Sequence, residues 1–128
     1  MADNRNFAAL DWLILEINDT LKDARQSLEN YVLEPTDGAQ LRFCLTHIHQ
    51  VHGSLQMVEF YGASLLAHEM ELLTQAMIED TVVNKGESQE VLMRAILQFP
   101  TYLDQVKTTR KDNPLVVLPL LNDIRAVR

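Results

Sequence analysis

Only one cysteine, Cys44, occurs in the 128 residues, so no disulfide can form within the chain. Glycine and proline number four each, and aromatic residues make up 6%. No run alternates Val, Ile, Thr and aromatic residues, which argues against strands and for helices. No uninterrupted apolar run approaches the roughly 18 residues of a membrane span. The start, Met1-Ala2-Asp3-Asn4-Arg5, lacks the charged-then-apolar design of a signal peptide. Positive charge is scarce as well: 11 Lys and Arg against 18 Asp and Glu give a formal net charge of −7. Such a chain repels phosphate backbones and anionic lipid, so neither nucleic acid nor a membrane is expected as a partner. No glycine-rich phosphate loop follows a strand, so ATP binding and autonomous kinase activity are not expected. The location expected from these absences is cytoplasmic.

What is present is helical periodicity. One domain suits this length. Phe7, Leu10, Ile14, Ile17, Leu21, Ala24, Leu28 and Tyr31 recur three and four residues apart, the mark of a long amphipathic helix, and Pro35 ends it. Asp37 and Gln40 resemble a capping box that opens a second helix, with the stripe Leu41, Cys44, Leu45, Ile48, Val51, Leu55 and Val58. Cys44 lies on that stripe as a small buried hydrophobe. A third helix is predicted from near Tyr61 to about Asp80. It carries two apolar rows, Leu66, Met70, Leu73, Met77 and Leu65, Leu72, Ala76, so more than one neighbour should cover it. Asn84-Lys85-Gly86 is expected as a loop. A fourth helix then carries Val91, Leu92, Ala95, Ile96, Phe99, Leu103 and Val106, with a kink at Pro100. Asn113-Pro114 is read as the cap and first turn of a fifth helix with Val117, Leu120, Leu121 and Ile124, although Pro119 obscures its start. Short connections imply an antiparallel bundle. The helical pattern runs to Arg128 without a polar tail, and the chain is expected to be the N-terminal segment of a longer protein.

The polar residues carry the functional signal. Three of the four histidines, His47, His49 and His52, fall in one stretch of the second helix. Each residue advances a helix by about 100°. With Ile48 at the centre of the buried stripe, His49 lies about 100° to one side, His47 about 100° to the other, and His52 roughly 40° from the centre on the His49 side. Gly53, four residues after His49, points about 140° away from the core. A glycine inside a helix costs about 1 kcal/mol relative to alanine, and either close packing or an unobstructed approach to His49 would justify it; the angle favours the approach. Arg42, Thr46 and Gln56 share that flank, and Arg42, Gly53 and Gln56 are the candidate docking face. On the third helix Ser64, His68, Glu71 and Gln75 form a polar strip. Glu71 is placed to accept a hydrogen bond from one ring nitrogen of His49, which would make the other nitrogen a better nucleophile. His49 and His52 are spaced as a metal pair, but no cysteine cluster or third close ligand is evident, so neither a metal nor another cofactor is expected.

His49-Gln50-Val51-His52-Gly53-Ser54, followed by Leu66-Ala67-His68-Glu69-Met70-Glu71, resembles the signature of the histidine-phosphotransfer (HPt) family. That family reads His-x-x-Lys-Gly-Ser, and in its CheA-like kinase branch His-x-x-Glu follows on the next helix. Arg42-Phe43-Cys44-Leu45-Thr46, the stretch Leu55-Gln56-Met57-Val58-Glu59-Phe60-Tyr61-Gly62-Ala63, and Val117-Leu118-Pro119-Leu120-Leu121-Asn122-Asp123 are similar to HPt domains of CheA-like kinases of the type IV pilus, or twitching-motility, system. The resemblance covers nearly the whole chain. It implies an all-α fold, an antiparallel four-helix bundle with an extra C-terminal helix. It implies His49 as phosphoacceptor, with His52, His68 and Glu71 in support. The implied partners are a histidine kinase catalytic domain and a response-regulator receiver domain, or a polar scaffold protein. One position departs from the family: His52 stands where the family has lysine, and a histidine is charged only when protonated. The alternative is therefore a degenerate HPt-like scaffold that makes protein contacts without phosphotransfer.

Overall fold

The computed structural model describes residues 2–109 and 114–128. Five α-helices follow one another: α1 (Ala2–Leu33), α2 (Gly38–Met57), α3 (Tyr61–Glu79), α4 (Lys85–Thr109) and α5 (Pro114–Val127). There is no strand among the described residues. α1 packs on α2, α2 on α3, α3 on α4, and α4 back on α1, which closes a four-helix ring; α5 lies across α3 and α4. This is the all-α bundle with an added C-terminal helix that the stripes imply.

The stripes become the core. Ile17, Leu21, Ala24 and Leu28 of α1 are buried, as are Leu41, Cys44, Ile48, Val51 and Leu55 of α2. Ile14, Tyr31 and Val58 pack against the core from its margin. Phe7 and Leu10 lie outside the residues whose side chains are described, as does the Asn113 cap. On α3 the row Leu66, Met70, Leu73 and Met77 is buried throughout. The second row is covered only in part: Ala76 is buried, Leu72 half-buried and Leu65 exposed. Enclosure also fixes the chemistry of Cys44, whose thiol is pushed up to about 12 by burial, so it stays protonated and inert at neutral pH.

The helix ends correct two sequence expectations. Asp37 caps α2 through Oδ1, which accepts from the Ala39 amide at 3.3 Å. Gln40, however, does not close a capping box; its Nε2 donates to Asp37 Oδ2, and its Oε1 accepts from Asn30 Nδ2 of α1. The glutamine thus ties the end of α1 to the start of α2. Asn84-Lys85-Gly86 is not a loop, since α4 begins at Lys85. Asn84 acts as its cap, with Oδ1 accepting from the Glu87 amide at 2.9 Å, and a cap residue reads like a loop residue when no partner is in view. α4 continues through Pro100, as its unbroken period implies, and α5 begins at Pro114 and runs through Pro119.

The two connections that orient α3 are tight. Glu59 takes a left-handed conformation, φ 62°, and the Phe60 amide donates to the Leu55 carbonyl at 3.1 Å. Asp80, φ 58°, ends α3 in the same conformation. The turn at Glu59 and Phe60 holds α2 and α3 as antiparallel neighbours, so the middle of one helix faces the middle of the other, and the turn at Asp80 leads on to α4.

Candidate functional site

His49, His52, His68 and Glu71 meet where α2 and α3 face each other. Glu71, one side chain on α3, reaches two rings on α2: Nδ1 of His49 lies 3.0 Å from Oε2 and Nδ1 of His52 lies 3.1 Å from Oε1. An ionised carboxylate only accepts hydrogen bonds, so both Nδ1 atoms must be the N–H donors. Neutral His49 then carries its lone pair on Nε2. The three side chains differ in depth, with His49 69% exposed, Glu71 22% and His52 15%. Of the two rings held through Nδ1, His49 is therefore the one exposed to solvent, and the carboxylate it contacts sits deeper.

His52 lies deeper than His49. Its Nδ1 is committed to Glu71, and its ring is 4.9 Å from that of His68, tilted by 41°. The rings of His49 and His52 meet edge to face at 6.4 Å. His68 is half-buried, its Nδ1 is enclosed without a hydrogen-bond partner, and its ring backs that of His52. His47, on the far side of α2, is half-buried with its own Nδ1 enclosed, apart from this group.

The flank around His49 is open. Arg42 and Gln56 are exposed. A Cβ added at Gly53 would meet nothing within 4 Å, so this glycine is not required by helix packing. Sequence reasoning set a metal aside for want of a third ligand near His49 and His52. The fold supplies one in Glu71: donor atoms of all three residues lie within 4.8 Å of one another.

Sequence reasoning missed Glu69. It is buried at 6% exposure on the opposite side of α3 from Glu71. Arg125 of α5 donates to its Oε1 from Nε at 3.1 Å and from Nη2 at 2.9 Å, and Arg128 approaches Oε2 at 3.7 Å. The available signal was the pair of arginines three residues apart at the end of an otherwise apolar helix.

Among the described residues, the site is a helical bundle face on which one carboxylate holds two imidazoles, one of them exposed. The Hpt domain family model matches residues 8–109, and the chain belongs to that family. It is 31% identical, over 112 residues, to the Scaffold protein FimL of Pseudomonas aeruginosa strain PAO1, an alignment that covers 86% of this chain and 20% of the relative. The chain thus spans about a fifth of the length of that curated relative. No solved structure matches it. No described helix is long and apolar enough to cross a membrane.

Proposed function

We propose that this domain is a phosphotransfer intermediate in which His49 accepts a phosphoryl group from a separate histidine kinase domain and passes it to an aspartate of a receiver domain. The observation that carries this reading is the 3.0 Å contact between His49 Nδ1 and Glu71, made by a ring that is 69% exposed. The Nε2 lone pair attacks the γ-phosphorus of ATP held by the kinase. An N–P bond forms, the bond from that phosphorus to the bridging oxygen breaks, and ADP leaves with the electron pair. The Nδ1 proton stays in place, so the phosphorylated ring carries positive charge, which the Glu71 carboxylate offsets. In the second transfer the N–P bond breaks as the receiver carboxylate forms an O–P bond, and the ring returns to its neutral state. Little covalent work falls to the protein in such a reaction; positioning and charge dominate. His52 and, behind it, His68 fix Glu71 from below. Arg42, Gly53 and Gln56 form the surface on which the kinase and receiver dock in turn.

The longer protein, on this reading, is a CheA-like kinase of the ChpA type that governs type IV pilus twitching motility, and the domain works in the cytoplasm. A second reading has its own support. The FimL relative is described as a scaffold protein, and His52 replaces the family lysine. On that reading the same face binds a polar or pilus partner and no transfer occurs. Incubation with cognate kinase domains and ATP separates the two. Acid-labile phosphate on the wild type that vanishes in a folded His49→Gln supports phosphotransfer. Absence of label on both, with partner binding retained in His49→Gln, supports the scaffold. Label that persists in His49→Gln would mean that another residue is the acceptor.

A further inference from the structure

We propose that His49, His52 and Glu71 together form a binding site for a zinc-class divalent cation, and that such an ion and a phosphoryl group exclude each other. The second half rests on the phosphotransfer reading; the first does not.

Three donors from two helices converge here. His49 and His52 stand three residues apart on α2, so their rings are neighbours on one face before any ion arrives. Glu71 of α3 comes between them, 3.0 Å from one Nδ1 and 3.1 Å from the other. Donor atoms of the three groups all lie within 4.8 Å of one another. A tetrahedral ion with bonds near 2.0–2.1 Å holds its ligand atoms about 3.4 Å apart. The widest gap must therefore close by up to about 1.4 Å, and His49, the most exposed of the three, is the side chain with room to move. Two imidazoles and one carboxylate are the donor set of open zinc sites, with a fourth position left to water. The set suits zinc, copper or nickel and is poor for magnesium or calcium, which prefer oxygen. An entry path exists because His49 faces solvent and Gly53 leaves its flank uncovered.

The consequence follows from the tautomer. Glu71 holds both rings with the proton on Nδ1. An ion bound at those nitrogens requires their lone pairs, so each neutral ring moves its proton to Nε2. Nε2 of His49 then becomes an N–H donor with no lone pair for phosphorus. Conversely, a phosphorylated His49 keeps its Nδ1 proton on Glu71 and offers the ion nothing. The site would thus make phosphoryl acceptance sensitive to free zinc, with no movement of the bundle.

Zinc chloride is titrated into the whole chain by calorimetry in the presence of excess magnesium, with imidazole NMR resonances followed in parallel. The expected result is one ion per chain, shifts at His49 and His52 but not at His47, and affinity weakened more than about tenfold in Glu71→Gln and in His52→Gln. Glu71→Gln preserves shape, so it decides the matter should His52→Gln fail to fold by circular dichroism. Absence of binding, or equal affinity in wild type and Glu71→Gln, overturns the site. Kinase-dependent labelling is then compared with and without zinc, and a zinc-selective chelator reverses any effect. Zinc binding by a chain that never labels sustains the site and removes the phosphotransfer reading. Labelling untouched by bound zinc removes the exclusion.

Discussion

Glu69 and Glu71 sit two residues apart on α3 and turn about 200° away from each other. Both are paired, yet with opposite kinds of partner. Glu69, with 8% of its side chain exposed, is held by Arg125 and Arg128, whose charge is permanent. Glu71, 22% exposed, is held by His49 and His52, whose rings can gain or lose a proton and carry a nucleophilic nitrogen. A carboxylate between fixed charges can only fasten helices together, and Glu69 fastens α5 to α3. A carboxylate between imidazoles can set a tautomer and compensate a charge that develops on a ring. The same residue type on the same helix serves architecture on one side and chemistry on the other, and the titratability of the partner makes the difference.

The largest contrast should come from amide substitution at the two positions. Glu71→Gln keeps its shape but loses its charge, and its amide oxygen can no longer serve both rings. Labelling of His49 should fall by about a hundredfold, and losing the part-buried contact with His52 should cost about 1 kcal/mol of stability. Glu69→Gln should leave labelling unchanged. Equal labelling of the two variants would dissolve the contrast. A second, smaller effect is expected on the architectural side. Arg125→Ala leaves Glu69 buried with only Arg128 at 3.7 Å. It should cost about 2 kcal/mol in urea unfolding, below the roughly 3–5 kcal/mol of a fully buried pair, since Arg125 is itself 45% exposed. The smallest effect concerns the openness of the chemical side. Gly53→Ala adds a methyl group into free space and should stabilise α2 by about 1 kcal/mol. Gly53→Phe should retain the fold while weakening receiver binding. A loss of stability in Gly53→Ala would mean that the flank beside His49 is packed, and that the two sides of α3 are less different than they look.

The sequence by itself determined the class of fold and the residue that stands out. Apolar spacing depends only on the pitch of a helix, so Ile17, Leu21, Leu28, Ile48, Leu55, Met70 and Leu73 could be placed inside before any neighbour was known, and all are buried. The same pitch put His49 and Gly53 on the outer flank and separated His47 from them. The tertiary structure decided everything that depends on a second helix. Asp37 and Gln40 read as a capping box until Asn30 of α1 claims the glutamine. Asn84-Lys85-Gly86 reads as a loop until the cap at Asn84 is visible. The contacts of His52 with Glu71 and His68 come into view only with the second helix. Glu69 stands out only once α5 brings Arg125 to it from 56 residues away, with Arg128 beside it. Periodicity is a property of one helix and is written in one stretch of chain. Ion pairs, shared carboxylates and ligand sets are properties of two helices at a particular angle and register, and no single stretch of chain contains them.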